Sequence, residues 1–124
     1  MRRILLPLTL SLLALLAFAA TASARTSYCS PSGDFCYGLN GDRDPKIILN
    51  MAAEYFPKAR ICVTPPAGER TCKTYKVKDQ GNVFGVRVRW SAKFPNEGSG
   101  KYKVKLYSAG SNSEGLGPSL SFRR

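Results

Sequence analysis

The sequence predicts an all-β fold, a small antiparallel β-sandwich closed by two disulfides. Three observations carry this expectation. Apolar and charged residues alternate with period two through most of the chain beyond residue 24, the mark of half-buried strands. Turn signals rich in Gly, Pro, Asn and Asp ("PSGD", "LNGDRDP", "PPAGE", "DQGN", "PNEGSG", "SNSEGLGP") recur at short spacing between those runs. Four cysteines stand in a chain of 124 residues that has no histidine and no C-x-x-C pair. That composition fits a small exported domain stapled by disulfides and argues against a zinc site.

The opening segment, "MRRILLPLTLSLLALLAFAATASA", is read as lying outside the fold. It has a basic start (Arg2, Arg3), an apolar run from Ile4 to about Ala20, and the small residues Ala22-Ser23-Ala24. This is the three-part layout of a secretory signal peptide, cleaved after Ala24. A membrane anchor needs about 20 strongly apolar residues, and Pro7, Thr9 and Ser11 interrupt this run, so no transmembrane segment is expected. The Arg2-Arg3 pair has no polar stretch before it, which favours the general export route over the twin-arginine one. Residues 25–124 then form one domain of 100 residues, extracellular, with a charge of 17 − 8 = +9 once Arg2 and Arg3 are removed.

The elements follow in order. "YCSPSGDFCY" brackets a short turn between two strand ends and predicts a Cys29–Cys36 bridge. "KIILNMAA" reads as a strand with Ile47, Leu49 and Met51 inward. Met51 to Glu54 has some helical character, but Ile47 and Ile48 are β-branched and fit a pleated surface. "RICVT" and "RTCKT" form a hairpin around "PPAGE", with Val63 facing Thr71 and Cys62 facing Cys72, close enough for a second bridge. Four cysteines allow three pairings, and Cys36–Cys62 remains an open alternative. In "KTYKVK", Tyr75 and Val77 share the face of Ile61 and Val63, while Arg60, Lys76, Lys78 and the two cysteines share the other. "FGVRVRW" turns Phe84, Val86, Val88 and Trp90 inward and Arg87 and Arg89 outward. "KYKVKLY" buries Tyr102, Val104 and Leu106 and exposes Lys101, Lys103, Lys105 and Tyr107. "GPSLSF" closes the chain with Leu120 and Phe122 alternating with serines.

About seven short strands in a domain of this size indicate an immunoglobulin-like sandwich. The C-terminal "YKVKLYSAGSNSEGLGPSLSF" resembles the last two strands of fibronectin type III modules. It is more similar still to the end of the neocarzinostatin family, secreted actinobacterial sandwiches that carry enediyne chromophores. That family has a hairpin disulfide with nine intervening residues, which Cys62 to Cys72 resembles, followed by a strand that "GVRVRWSAKF" resembles. The resemblance spans roughly the second half of the chain and implies a bacterial secreted sandwich, with small-molecule carriage as one function. The family's second bridge lies late in the chain, whereas here the remaining cysteines are Cys29 and Cys36, and no chromophore-contacting residue is matched.

The residues themselves point away from catalysis. Without histidine, the Ser-His-Asp and Cys-His arrangements are excluded, and oxidised cysteines leave no thiolate. Most of the eight acids, among them Asp34, Asp42, Asp44, Glu69, Asp79, Glu97 and Glu114, sit in turns. The alternation of Asn40, Asp42 and Asp44 resembles a calcium loop, but no glutamate closes the coordination and Arg43 sits between the acids. An Asx-type turn capping local N–H groups accounts for it. No catalytic residue, metal or cofactor is expected. The positive feature is an outward basic set, Arg60, Lys76, Lys78, Lys101, Lys103 and Lys105, with the three strand lysines about 7 Å apart. It predicts a monomeric binding module for an anionic polymer or cell-surface component. Such lysines also keep a domain soluble and block edge-to-edge pairing. Specific nucleic-acid reading is not expected, because Tyr107 is the one aromatic in that row. A carrier of the neocarzinostatin type, or an inhibitor presenting "PPAGER" or "PNEGSG" to a protease, are the alternatives.

Overall fold

The computed structural model describes residues 25–110 and 113–124; the expected signal peptide, residues 1–24, lies outside the described residues. Nine strands occur among the described residues: β1 (Ser27–Cys29), β2 (Phe35–Asn40), β3 (Lys46–Met51), β4 (Lys58–Thr64), β5 (Thr71–Lys76), β6 (Lys78–Asp79), β7 (Phe84–Arg89), β8 (Lys101–Ala109) and β9 (Leu120–Arg123). One helical turn, α1 (Trp90–Lys93), follows β7. The strands form two antiparallel sheets, ordered β1-β2-β3-β7-β6 and β5-β4-β8-β9. The strand count exceeds the expected seven because two elements, β1 and β6, are three and two residues long.

The core lies between the sheets and is built by the alternation seen in the sequence. Ile47, Leu49 and Met51 of β3, Ile61 and Val63 of β4, and Tyr102, Val104 and Leu106 of β8 are all buried, as are Leu120 and Phe122. At its centre Trp90 meets Tyr102 and Phe122 edge-on, with ring centroids 5.0 and 5.1 Å apart, while Tyr102 and Phe122 stack. Tilted and offset pairs of this kind add to the gain from burial.

Both disulfides pair as expected, Cys29–Cys36 and Cys62–Cys72. Each joins directly facing residues of an antiparallel pair, β1 with β2 and β4 with β5. Val63 faces Thr71 as the hairpin register requires.

Three expectations are corrected. "KTYKVK" is not one strand: β5 ends at Lys76, and β6 joins the opposite sheet, pairing with β7 at Lys78↔Gly85 and Asp79↔Phe84. Val77 is buried at the crossing, and its N–H donates to Pro57 O at 2.9 Å. Period-two alternation runs unbroken through the crossing because both sheets bury the same interior. Trp90 is inward as expected, but it begins α1 and is not a strand residue. The Asp44 carboxylate accepts from Ser91 N–H at 3.1 Å and Ser91 Oγ at 2.7 Å, so the acid expected to cap a local turn holds the start of this helical turn across the sheet.

Candidate functional site

The four-stranded sheet turns one face to the core and the other outward. Its outward positions follow from the register. Lys58 faces Lys76 across β4 and β5. Arg60 faces Tyr107, Cys62 faces Lys105, and Thr64 faces Lys103 across β4 and β8. Lys101 faces Arg123 across β8 and β9. No aspartate or glutamate occurs in any of these four strands. Facing side chains stand about 5 Å apart, so Lys58 and Lys76 repel each other at close range with no carboxylate in the sheet to relieve it.

Tyr107 is the hub of this surface. Arg60 is its cross-strand neighbour, Arg70 Nη1 donates to its hydroxyl at 3.4 Å, and Lys105 Nζ lies 5.6 Å above its ring. The Lys105 stem runs against the backbone at Gly115, where an added Cβ would come within 3.3 Å of its Cε. The nearby chain at Gly115 bridges to Tyr107 and continues the edge along β8 past the end of β9. Beside Lys101 and Lys103, Thr64 at the end of β4 and the turn residues Pro65 and Pro66 wall a shallow depression of about 400 Å³.

Five of the six expected basic residues, Arg60, Lys76, Lys101, Lys103 and Lys105, therefore share one outer face. Lys78 does not: the crossing at Val77 carries it to the five-stranded sheet. Reading the sequence in strand-length windows missed Lys58, Arg70 and Arg123. Lys58 and Arg123 were legible in principle, since each lies two residues from a residue already placed or assigned to a face, Arg60 and Ser121. Arg70 reaches the site from the turn, which alternation cannot report.

A second feature lies where the two sheets part. Because the chain crosses at Val77 from β5 in one sheet to β6 beside β7 in the other, an open groove of about 600 Å³ separates β5 from β7, lined in part by Tyr75, Lys76, Lys78, Val86, Arg87 and Val88. The Tyr75 hydroxyl is buried with no hydrogen-bond partner, and burial pushes its ionisation above the usual tyrosine value. The one ion pair among the described residues, Arg89 with Asp44 at 3.6 Å, lies near the end of β7. The Asp44 carboxyl is held below the ordinary carboxylate range, first by the Ser91 hydroxyl and also by Ser91 N–H and Arg89, against opposing desolvation.

The loop "PNEGSG" is pinned from beneath: Tyr102 Oη donates to Gly98 O at 2.7 Å and accepts from Glu97 N–H at 2.9 Å. No group of three or more metal-ligating side chains occurs among the described residues. No helix among them is long and apolar enough to cross a membrane. No protein-family model matches the chain, and no curated protein or solved structure matches it.

Proposed function

We propose that the protein is an exported, non-enzymatic module of immunoglobulin-like topology whose cationic sheet face attaches it to an anionic polymer or cell-surface component. The observation that carries this reading is the outer face of β5-β4-β8-β9: lysines and arginines on all four strands and no carboxylate. Like charges held this close oppose folding, and an anionic partner relieves them. Export is supported by the amino-terminal layout and by two disulfides with no free cysteine among the described residues.

Two features support the immunoglobulin-like reading. The orders β2-β3-β7-β6 and β5-β4-β8-β9 correspond to A-B-E-D and to C-F-G with an added edge strand. Tyr102, near the start of β8, bonds back to the backbone four and five residues upstream, in the manner of the tyrosine corner of such domains. A carrier of the neocarzinostatin type is less well supported. The groove at Val77 has the size of a small-molecule site, but its walls carry Lys76, Lys78 and Arg87 where apolar lining predominates in such sites.

The test is retention of residues 25–124 on a heparin-type or wall-polymer matrix over a salt gradient. Retention should fall steeply with salt. Replacing Lys101, Lys103 and Lys105 together with glutamate should abolish it, whereas unchanged retention of that variant rejects the proposal.

A further inference from the structure

The open edge of β7 has a hydrogen-bonding pattern that two separate observations fix. Trp90 N–H donates to Pro45 O at 3.0 Å, one step beyond the Lys46↔Arg89 pair. Bonded and non-bonded pairs alternate in antiparallel ladders, so Val88 and Val86 bond toward β3, and Arg89 and Arg87 direct their N–H and C=O away from it. From the other side, Gln80 N–H donates to Val83 O at 2.8 Å across the β6–β7 turn. Counting from there, Lys78↔Gly85 is a bonded pair and the next bonded position on β7 is Arg87. Both counts agree. The strand that would satisfy Arg87 is the one that ends at Lys78, because the chain crosses to the other sheet at Val77. The backbone groups of Arg87 therefore face the groove, and those of Arg89 lie one bonded position further along the same edge.

We propose that this groove is a docking site for an extended acidic peptide segment of another protein, which adds a strand to β7 opposite Val86–Arg89. The free edge is four residues long, about 14 Å at the rise of an extended chain. A strand laid there takes the place that β6 vacates. Its residues opposite Arg87 and Arg89 project to the outer face of the five-stranded sheet, beside those guanidiniums. The intervening residue projects inward toward Tyr75 and Val88, where the unpartnered Tyr75 hydroxyl also lies. The recognised pattern is thus acidic–apolar–acidic, with backbone bonds supplying affinity and alternate side chains supplying selectivity. The acid opposite Arg87 contributes most, since Arg89 already has Asp44 at 3.6 Å. A second copy of this chain is the wrong occupant: β7 paired with β7 would set arginine against arginine.

The experiment uses a short fluorescein-labelled peptide of alternating glutamate and valine, followed by polarisation, with amide hydrogen exchange read in parallel. In the free protein the Arg87 and Arg89 amides should exchange fast while Val86 and Val88 are protected, and peptide should slow the first pair. Arg87→Glu should weaken binding by about tenfold or more, as should N-methylation of the peptide amides, which keeps its charge and removes its donors. A lysine–valine peptide should not bind. Equal binding of the N-methylated peptide overturns the proposal, as does Arg87 protection in the absence of peptide. Loss of peptide binding in Lys103→Glu/Lys105→Glu but not in Arg87→Glu overturns it too. That last result would leave the cationic-face function standing, just as failure on the polymer matrix would leave this one standing.

Discussion

Gly85 offers the sharpest test of the β3–β7 pairing. A Cβ built there would lie 1.7 Å from Leu49 O and 2.8 Å from Leu49 C, both backbone atoms of the neighbouring strand. Ordinary contact needs about 3.5 Å, so Gly85→Ala must push β3 and β7 apart locally or twist β7 out of the ladder. Either movement breaks the bonded pair Leu49↔Val86 and strains its neighbours on strands buried in the core. Two or three buried backbone bonds lost, at about 1–1.5 kcal/mol each, give a cost of about 2–4.5 kcal/mol. For a domain of about 100 residues that corresponds to a fall in melting temperature of roughly 8 °C or more. The control is Gly110→Ala, where an added Cβ meets no atom within 4 Å among the described residues beyond its chain neighbours and the backbone is not left-handed. Both substitutions restrict the unfolded chain alike, so their difference isolates the native clash. The assay is urea and thermal unfolding of both variants with disulfides intact, followed by circular dichroism. If Gly85→Ala melts within about 3 °C of Gly110→Ala, the β3–β7 register and the edge pattern derived from it are wrong.

Further outcomes follow from the same contacts. Replacing Cys62 and Cys72 together with alanine opens a loop of separation 10 and should cost about 2.7 kcal/mol, against about 2.4 kcal/mol for Cys29 and Cys36 at separation 7, measured by denaturant unfolding. Tyr37→Phe removes the 2.6 Å hydrogen bond from its hydroxyl to Pro118 O and should destabilise by about 1–2 kcal/mol. That hydroxyl is pushed up to about 12, first by burial and then by Tyr28, with Arg25 opposing. Its contribution is complete below pH 10 and lost as pH climbs from 10 toward 12, because the unfolded chain ionises first. Wild-type stability should therefore fall more steeply than that of Tyr37→Phe over this window. Tyr102→Phe should free the residue 96–98 loop, read as faster exchange of the Glu97 amide.

Much of the fold was legible because burial in a two-layer sheet protein writes a local pattern. Ile47, Leu49 and Met51, or Tyr102, Val104 and Leu106, declare their inner face through spacing alone. The Cys62–Cys72 pair was legible for a related reason: a short hairpin turn sets the register, and the register sets which cysteines face each other. The cationic face was legible as rows that share one sheet, but the order of its strands was not, since nothing local says that β4 lies between β5 and β8. Arg70 was invisible, because a turn residue reaching Tyr107 has no periodicity to betray it.

The sequence by itself determined which side chains go inside, where the chain turns, and that the exterior is cationic, since alternation, turn chemistry and charge are properties of neighbouring residues. Tertiary structure alone decided that the chain crosses between sheets at Val77, that Lys78 parts from Lys76, and that β7 is left with an unpaired edge. The physical reason is that both sheets offer an inward side chain the same apolar interior. A strand that stays and a strand that crosses therefore carry the same pattern, and only the hydrogen-bonding partner, distant in sequence, tells them apart.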